Sequence, residues 1–368
     1  MQNYKSRPRV MVVVGTRPEA IKLAPVVQDL RMDDTLDVRL VSTGQHKELL
    51  RDALANFSLV PDFDLDLMTS NQGLNALTGK ILNGLDALIE AMKPNLVLVQ
   101  GDTTTVLAAS LAAFHKGVKI AHVEAGLRTG RLSDPFPEEG NRQLVSRLAT
   151  IHFAPTLAAV HNLEIEGIPA DAIKLTGNTG IDALLRTEKN IDKTKSNSVK
   201  RILITCHRRE NFGEPLNNIC RAISILAGNN PEIEFRFPVH PNPNVKSAVD
   251  RYLAGIPNVK LLEPMGYREF VAEMAASHLI LTDSGGVQEE APALGKPVLV
   301  LRRDTERPEA VSAGVAMLVG TDETAIIRET ERLLTQPNIY ENMAIGASPY
   351  GDGKSSQRIV QYLKQILL

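Results

Sequence analysis

The feature that most constrains the fold of this chain is the regular alternation of short apolar runs with longer helical patterns. In the first half, runs rich in Val, Ile and Leu lie at residues 10–14, 38–41, 96–99 and 120–123, and helical patterns lie between them at 18–31, 75–92 and 104–115. Strands that are separated by helices pair in parallel. The alternation therefore predicts an α/β domain with a parallel sheet.

The same alternation returns in the second half of the chain. Strands are expected at 202–205, 234–238, 259–262, 279–283 and 298–301, with helices at 216–227, 267–276 and 324–334. The pattern pauses at 176–190, a polar stretch follows at 192–200, and 368 residues exceed the usual size of one core. We therefore expect two similar α/β domains, at 1–178 and 179–350, and a C-terminal segment, 351–368, whose helix at 355–368 packs back on the first domain.

Composition excludes several classes of protein. Lys and Arg number 41 against 43 Asp and Glu, so no net charge favours nucleic acid or an anionic membrane. The two cysteines show no disulfide or metal-ligand spacing, no leader pattern is visible, and no apolar run reaches the length of a membrane span. We expect a cytoplasmic protein with neither a nucleic-acid nor a membrane partner.

A turn that could bind an anion follows the first strand, at residues 15–22. Pro18 suits the first position of a helix, and Arg17 and Lys22 would flank its N-terminus. Free backbone amides, the helix dipole and two cations would together favour a phosphate or carboxylate. The alternative is an Arg and a Lys in solvent at an ordinary helix start.

A stronger phosphate site is predicted after the strand at 279–283. Ser284, Gly285 and Gly286 would let backbone amides and a hydroxyl approach an anion closely. Glu290, one turn into the following helix, could accept hydrogen bonds from a ribose, or it could merely favour the helix dipole. Two such turns, one in each domain, imply a pyrophosphate in the cleft between the domains.

Three acidic residues of the first half are candidates for acid/base chemistry. Asp102 and Glu124 each end an apolar strand, and Glu138 follows Pro137 at an expected helix start. Each has a structural alternative: Asp102 could cap the next helix, Glu124 could pair with Arg128, and Glu138 could favour a helix dipole.

His207 is a further candidate because it follows the first strand of the second half, beside Arg208 and Arg209. A histidine there could meet a pyrophosphate or assist a leaving phosphate oxygen, although most single histidines are structural. His46 and His240 are weaker candidates at equivalent strand ends.

A series of short motifs runs along the chain in a fixed order: GTRPEAIK at 15–22, GDTTT at 101–105, HVEAGLRT at 122–129, PEE at 137–139 with Asn141 and Arg142, TGN at 176–178, HRRE at 207–210, DSGGVQEEAP at 283–292 and TERPE at 305–309. Together they resemble the non-hydrolysing UDP-N-acetylglucosamine 2-epimerases nearly from end to end. The resemblance implies a glycosyltransferase-B type fold, with two Rossmann-like domains facing a cleft, and a homodimer.

The resemblance also implies a reaction. Members of this family interconvert UDP-N-acetylglucosamine and UDP-N-acetylmannosamine, a precursor of bacterial surface polysaccharides, by anti elimination of UDP to 2-acetamidoglucal and readdition of UDP. The reaction uses no redox cofactor and no metal.

Residue roles follow from the matching motif positions. The resemblance implies that UDP is held by Arg17, Lys22, His207, Ser284, Gly285, Gly286, Glu290 and Arg307, with Met265 and Phe270 in the segment that faces the uracil. Asp102, Glu124 and Glu138 would carry the proton chemistry, together with His207 at the leaving group. Some bacterial members bind a second, activating UDP-N-acetylglucosamine, which here would fall at Gln45, His46, Arg208 and His240.

Three other functions compete with this interpretation. A glycosyltransferase of the same fold would move the sugar to an acceptor, and a hydrolysing epimerase would release UDP and free N-acetylmannosamine. A nucleotide-sugar sensor would bind without chemistry, but such a protein has no use for three carboxylates near a pyrophosphate.

Overall fold

The computed structural model describes residues 7–44, 47–69, 72–191, 199–346 and 348–368. The chain forms two compact units, Met1–Ala183 together with Tyr350–Leu368, and Leu184–Pro349. Each unit contains one parallel sheet with helices between its strands, which confirms the predicted α/β class and the two Rossmann-like domains.

The first unit is built from seven strands and their connecting helices. The strands are β1 (Arg9–Val14), β2 (Asp37–Ser42), β3 (Phe63–Asp64), β4 (Leu96–Gln100), β5 (Lys119–Val123), β6 (Ile151–Ala154) and β7 (Ile173–Leu175). The helices are α1 (Arg17–Arg31), α2 (Lys47–Ala55), α3 (Leu74–Met92), α4 (Thr104–His115), α5 (Glu138–Leu148), α6 (Leu157–Ile165), the first turn of α7 (Thr179–Lys189), and α15 (Ser355–Leu367).

The sheet of the first unit has the strand order β3-β2-β1-β4-β5-β6-β7, so the order reverses between β1 and β4. β4 is buried along its whole length because helices cover both faces of the sheet, and α3 and α4 supply much of the core on one side. In open parallel sheets, ligands bind beyond the carboxyl ends of the strands at such a reversal. A ligand-binding site in this unit is therefore expected at the loops after β1, β4 and β5.

The second unit repeats this arrangement with six strands. The strands are β8 (Arg201–Thr205), β9 (Glu234–Pro238), β10 (Val259–Leu262), β11 (Leu279–Thr282), β12 (Val298–Val300) and β13 (Ala316–Leu318). The helices are α8 (Glu214–Asn229), α9 (Pro243–Leu253), α10 (Tyr267–Ala276), α11 (Gly285–Ala293), α12 (Pro308–Ser312), α13 (Glu323–Thr335) and α14 (Pro337–Met343). The strand order is β10-β9-β8-β11-β12-β13, with the reversal between β8 and β11. No helix in the described part of the chain is long and apolar enough to cross a membrane.

The expected pause at 176–190 is wrong, because helix α7 occupies Thr179–Lys189. The division between the compact units falls inside this helix, after Ala183. The helical pattern is hard to see in the sequence because buried Thr179, Asp182 and Thr187 stand where an apolar stripe is expected.

The C-terminal helix α15 packs on the first unit, as predicted. Lys364 forms an ion pair with Asp33, which follows α1, with 2.5 Å between Nζ and Oδ2. The ring of Tyr362 meets Phe153 of β6 edge-on, with centroids 5.9 Å apart. The chain thus returns to the first sheet after completing the second.

Asp182 holds the start of α15. Its side chain is fully buried and accepts hydrogen bonds from the backbone N–H of Ser355 (3.2 Å) and of Ser356 (2.8 Å). The Ser356 hydroxyl lies 2.8 Å from the same carboxylate and 2.6 Å from Asp29 of α1. One buried carboxylate therefore satisfies backbone donors that the first turn of a helix cannot satisfy by itself.

Replacing Asp182 with alanine is expected to destabilise the protein by about 2–4 kcal/mol, because hydrogen bonds to a charged group are lost and buried N–H groups lose their acceptor. Urea unfolding followed by circular dichroism measures the effect. The control is Asp352→Ala, which removes a half-exposed ion pair with Arg358 and should cost much less. Equal losses in the two variants would show that Asp182 does not anchor α15.

Candidate active site

The loop after β1 is packed tightly against the loop after β2 and the first turn of α4. A Cβ atom on Gly15 would lie 2.2 Å from Oγ1 of Thr105 and 2.6 Å from Oγ1 of Thr43. These two hydroxyls are themselves 3.2 Å apart. Only glycine fits at position 15, and the loops after β1 and β2 and the first turn of α4 are therefore held together at one edge of the sheet.

The backbone N–H groups at the N-terminus of α1 are capped by a residue of the helix's own first turn, Glu19. Glu19 is 1% exposed, and its Oε2 accepts the backbone N–H of Gly15 (2.5 Å) and of Thr16 (3.1 Å), while the Thr103 hydroxyl donates to Oε1. Burial raises the pKa of Glu19 to about 7 against the lowering effect of these hydrogen bonds. The expectation of free amides in the turn at residues 15–22 is therefore wrong for Gly15 and Thr16, whose N–H groups already have an acceptor.

Glu124 forms a compact polar cluster with Lys22 and Gln100. Nζ of Lys22 is 2.7 Å from each carboxylate oxygen of Glu124, and the Gln100 amide donates to the same carboxylate. Glu124 has a left-handed backbone (φ +64°), a conformation that costs energy for a side chain with a Cβ and is often found at functional sites. Lys22 of α1 thus reaches the acid at the end of β5.

The suggestion that Arg128 pairs with Glu124 is wrong. The guanidinium of Arg128 bonds instead to Glu166, with Nε 2.6 Å from Oε1, and to the Ser146 hydroxyl at 2.8 Å. Arg128 therefore ties the loop after β5 to α5 and to the end of α6, away from the acid.

Asp102 is held by residues of α5. Nη2 of Arg142 lies 2.5 Å from its Oδ2, and the side-chain amide of Asn141 donates to its backbone carbonyl at 2.8 Å. The alternative that Asp102 caps the next helix is wrong, because Thr103 is the N-cap of α4 and its hydroxyl accepts the N–H of Val106. The Asp102 carboxylate is left paired with a cation at the end of β4.

Glu139 orients the side chain of Arg142 toward Asp102. Its buried carboxylate lies 3.4 Å from Nη1 of Arg142 and accepts the backbone N–H of Thr129 and of Gly130. Burial raises the pKa of Glu139, but hydrogen bonds from Gln143 and these amides, and the charge of Arg142, outweigh it and hold the pKa below its usual value. Glu139 therefore fixes both α5 and the loop after β5.

Glu138 begins α5, as predicted, and differs from the other two acids. Its side chain is half-buried, and its carboxylate has no hydrogen-bond or ion-pair partner in the part of the chain that the structure describes. Of the three predicted acids, Asp102 and Glu124 are each held by a cation, whereas Glu138 is not.

In the second unit, His207 lies at the carboxyl end of β8. Its backbone N–H and that of Arg208 both donate to Oδ2 of Asp283, at 2.9 and 2.8 Å. Its ring is 41% exposed and stacks on the ring of His240, with centroids 5.8 Å apart and 17° between the planes. Burial lowers the pKa of His207, the charge of Asp283 opposes this, and His240 and Arg208 add to the lowering.

Charged side chains surround Gly285 at the start of α11, next to Ser284. A Cβ atom on Gly285 would lie 3.1 Å from Oε1 of Glu306, 3.6 Å from Nη2 of Arg208 and 3.9 Å from Nη2 of Arg307. Arg208 also donates to Glu306 at 3.0 Å. The predicted phosphate turn therefore has two arginines beside its glycine.

The loop that carries Arg307 is anchored on the buried face of α11. The Thr305 hydroxyl donates to Gln288 at 2.6 Å, and Nε of Arg307 donates to the buried Glu289. Glu290, on the same helix, is half-buried. The TERPE motif is thus fixed to the helix of the DSGG motif by side chains within one unit.

The remaining predicted residues are placed as follows. Met265 precedes α10 and Phe270 lies in its second turn, both half-buried, and Gly286 is exposed in the first turn of α11. Arg17 is the first residue of α1. Gln45 and His46 lie outside the described residues. Arg208 and His240, expected at an activator position beside the active site, lie against Gly285 and His207 respectively.

Sequence reasoning gave no role to the residues that hold the predicted ones. Glu19, Gln100, Glu139, Arg142 and Asp283 are all buried or half-buried at strand ends or helix starts. The available signal was their position inside or beside the motifs, since a charged residue next to a buried strand needs a partner. Among the described residues, no group of three or more His, Cys, Asp or Glu side chains could hold a metal ion.

Comparison with known proteins gives consistent matches along the chain. A family model described as UDP-N-acetylglucosamine 2-epimerase matches residues 28–364. The chain is 48% identical to the UDP-N-acetylglucosamine 2-epimerase of Campylobacter jejuni over 371 residues, which cover 96% of this chain and 97% of that protein.

Solved structures similar to this chain include members of the same family. A UDP-GlcNAc 2-epimerase from Neisseria meningitidis, crystallised with UDP-GlcNAc bound, is 47% identical with a TM-score of 0.89 and covers 97% of this chain and all of that one. MurG from Acinetobacter baumannii, 15% identical with a TM-score of 0.61 over 98% and 99% of the two chains, is similar in fold alone.

Proposed function

The chain belongs to the UDP-N-acetylglucosamine 2-epimerase family, and from this we propose that it interconverts UDP-N-acetylglucosamine and UDP-N-acetylmannosamine by inverting the configuration at C2. The observation that carries the proposal is the 48% identity to the Campylobacter enzyme over nearly the whole of both chains. The paired acids at the strand ends of the first unit supply the groups that the chemistry needs.

The proposed reaction proceeds by elimination and readdition. A carboxylate takes the proton from C2, the electrons of that C–H bond form the C1–C2 double bond, and UDP leaves C1 with the electron pair of the C–O bond. UDP then adds back to 2-acetamidoglucal while a proton reaches C2 on the other face. Two proton-exchanging groups on opposite faces of C2 satisfy this sequence.

The first unit offers three carboxylates for this work, Asp102, Glu124 and Glu138. Arg142 and Lys22 balance the charges of Asp102 and Glu124, so a negatively charged UDP-sugar can approach them. Glu138 has no such partner among the described residues and is free to bond to the substrate.

The second unit is proposed to hold UDP. Ser284, Gly285 and Gly286 would approach the diphosphate with Arg307 beside them, and Glu290 would bind the ribose. His207 would face the leaving oxygen, Met265 and Phe270 would contact the uracil, and Arg17 and Lys22 are also proposed to bind UDP.

The test is a product analysis. Incubated with UDP-N-acetylglucosamine alone, the protein should produce a mixture of the two UDP-sugars, seen as a new anomeric signal by proton NMR with no free UDP accumulating. Release of UDP and free N-acetylmannosamine would indicate a hydrolysing epimerase. Turnover only with an added acceptor would indicate a glycosyltransferase, and binding without change would indicate a sensor.

The phosphate turn gives a prediction of its own. Gly285→Ala should weaken UDP binding by about 10-fold, or ~1.4 kcal/mol, because the new methyl group occupies the space between the backbone and the Arg208 and Glu306 side chains. The methyl group meets only the ends of flexible side chains, so folding should be retained. Calorimetry with UDP measures the effect.

The control for this prediction is Gly228→Ala in α8, where a Cβ atom meets no atom within 4 Å. Unchanged UDP affinity in Gly285→Ala would place the diphosphate elsewhere.

We further propose a homodimer, a cytoplasmic location and a role in supplying precursors of surface polysaccharides. Apolar side chains on and near α4 and α5 are more than half exposed and could be covered by a second copy: Phe114, Leu132, Phe136 and Leu144. Both cysteines are free and buried, which suits a reducing compartment. Light scattering of the purified protein should give twice the chain mass, and a single-chain mass would contradict the dimer.

Activation by a second UDP-N-acetylglucosamine is proposed at Gln45, His46, Arg208 and His240. The placement of Arg208 and His240 beside Gly285 and His207 supports a position adjoining the UDP site. The rate should then rise sigmoidally with substrate concentration, whereas a hyperbolic curve would argue against an activating site.

A further inference from the structure

Asp283 lies between β11 and the glycine turn, and it is fully buried. Its Oδ2 accepts four donors from the loop after β8: the backbone N–H groups of His207 and Arg208, the side-chain amide of Asn211 at 3.0 Å and the Cys206 thiol at 3.3 Å. A single carboxylate oxygen therefore sets the course of the segment that carries His207.

The second oxygen of Asp283 has a different environment. Oδ1 is buried and makes no hydrogen bond within the described part of the chain, and it lies 3.5 Å from Nδ1 of His207. This distance is slightly longer than a good N–H···O hydrogen bond, and a small rotation of the half-exposed ring closes it. An unsatisfied buried carboxylate oxygen is costly, so a donor that can reach it is favoured.

The geometry points to Asp283 as a positioning residue for His207: it draws Nδ1 inward and leaves Nε2 as the nitrogen that faces the diphosphate. The inference rests on the proposed function, in which UDP leaves C1. A carboxylate that accepts a hydrogen bond from one ring nitrogen keeps the proton on that nitrogen, and this sets the tautomer of the ring. The ring of His240 packs against one face of the His207 ring.

The chemical consequence concerns the leaving group. As the C1–O bond breaks, its electron pair and the associated negative charge collect on the phosphate oxygen. A protonated His207 donates from Nε2 to that oxygen while its Nδ1–H is held by Asp283, and no proton needs to be transferred to UDP. In the free protein burial, His240 and Arg208 together hold the pKa of His207 below its usual value, and the charge of Asp283 only partly offsets them. The negative charge that collects on the phosphate oxygen then adds to that of Asp283 in favouring the protonated ring.

The same residue also couples two loops of the second unit. β8 and β11 are adjacent, and their last residues, Thr205 and Thr282, share a hydrogen bond between hydroxyls at 2.6 Å. Asp283 follows Thr282, binds the His207 loop and leads directly into Ser284. The ring of His207 and the phosphate turn are therefore set relative to each other by one side chain.

The test compares Asp283→Asn with the parent by two readouts. In the free protein with labelled histidine, NMR should show the pKa of His207 falling further and its tautomer preference changing, because the asparagine side chain is neutral. The charged and titratable groups facing the ring are Asp283, His240 and Arg208, and only the first is altered. The His207 signal is assigned with His207→Gln.

Kinetics supply the second readout. Asp283→Asn should lower kcat by about 10- to 100-fold, the loss usual when the partner orienting a functional histidine is removed, with a smaller change in KM. In a His207→Gln background the same substitution should have almost no further effect on kcat. A residue that merely supports the fold would lower kcat equally in both backgrounds, and this result would overturn the proposal.

If Asp283→Asn folds poorly, Asp283→Glu retains the charge but displaces it, and the same two readouts apply. An unchanged pKa and tautomer of His207 in a folded variant would also overturn the proposal. Failure of the parent protein to convert UDP-N-acetylglucosamine would contradict the proposed function alone, because the NMR titration of the free protein does not depend on turnover.

Discussion

Glu124→Gln is expected to lower turnover by about 10²- to 10⁴-fold, the usual contribution of a general acid or base, while UDP affinity changes little. Glutamine keeps the shape of the side chain and can still bond to Gln100, but it cannot accept a proton from carbon. The backbone of Glu124 already lies in a strained conformation, which places this carboxylate beyond the end of β5.

Initial rates and UDP calorimetry on the purified variant separate chemistry from binding. Glu90→Gln is the matched control. Glu90 lies near the C-terminal end of α3, away from the carboxyl ends of the strands, and its exposed side chain pairs with Lys116. If Glu124→Gln mainly destroys UDP binding and leaves kcat intact, Glu124 is not an acid/base group. Asp102→Asn and Glu138→Gln are expected to follow the same pattern.

Lys22→Met is expected to lower turnover by about 10²-fold, because Lys22 holds both oxygens of Glu124 and a displacement of about 1 Å in a reacting group can cost that much. Methionine matches the length of the lysine stem and removes only the charge and its donors. The side chains of Lys22 and Glu124 are 21% and 7% exposed, so solvent replaces the lost cation poorly.

The double variant distinguishes positioning from direct UDP binding. If Lys22 acts through Glu124, then Lys22→Met combined with Glu124→Gln should be barely slower than Glu124→Gln alone, since residues that act as a unit are not additive. If instead the two losses of turnover multiply in the double variant, and Lys22→Met also binds UDP more weakly, then the lysine contacts UDP independently of Glu124.

Much of the fold could be predicted because buried parallel strands are short, apolar and flanked by helices. β1, β4, β8 and β11 were all predicted to within a residue or two of their ends. Some elements were not predicted because they are too short to show a period, such as β3 with two residues and β13 with three. Longer helices such as α6 and α9 were also not predicted. Helix α7 escaped because its buried positions include polar residues that bond to other segments.

The position of the motifs within each unit could also be predicted, since those after β1 and β4, and those after β8 and β11, lie where the strand order of their own sheet reverses. The pairing of charges could not. Lys22 and Glu124 are 102 residues apart, and Arg142 reaches Asp102 across 40 residues. Such pairs depend on how loops close over a sheet, and a sequence pattern records only the neighbours along the chain.

The capping of α1 by Glu19 shows the same limit of prediction from sequence. The residues 15–22 have the composition of an anion site, but the group that accepts the backbone N–H donors is the carboxyl of Glu19 from the same turn. A capping carboxylate three residues into a helix is a common local solution. Sequence composition alone does not say whether the helix start binds a ligand or its own side chain.

The most direct test of the central claim is the fate of the C2 hydrogen. UDP-N-acetylglucosamine is incubated with the protein in D₂O, and both UDP-sugars are recovered and examined by proton NMR and mass spectrometry. Proton removal at C2 predicts that UDP-N-acetylmannosamine forms with deuterium at C2 and that the remaining substrate gains the same label. UDP-N-acetylmannosamine formed with its original hydrogen at C2, or recovery of unlabelled substrate as the sole UDP-sugar, would contradict it.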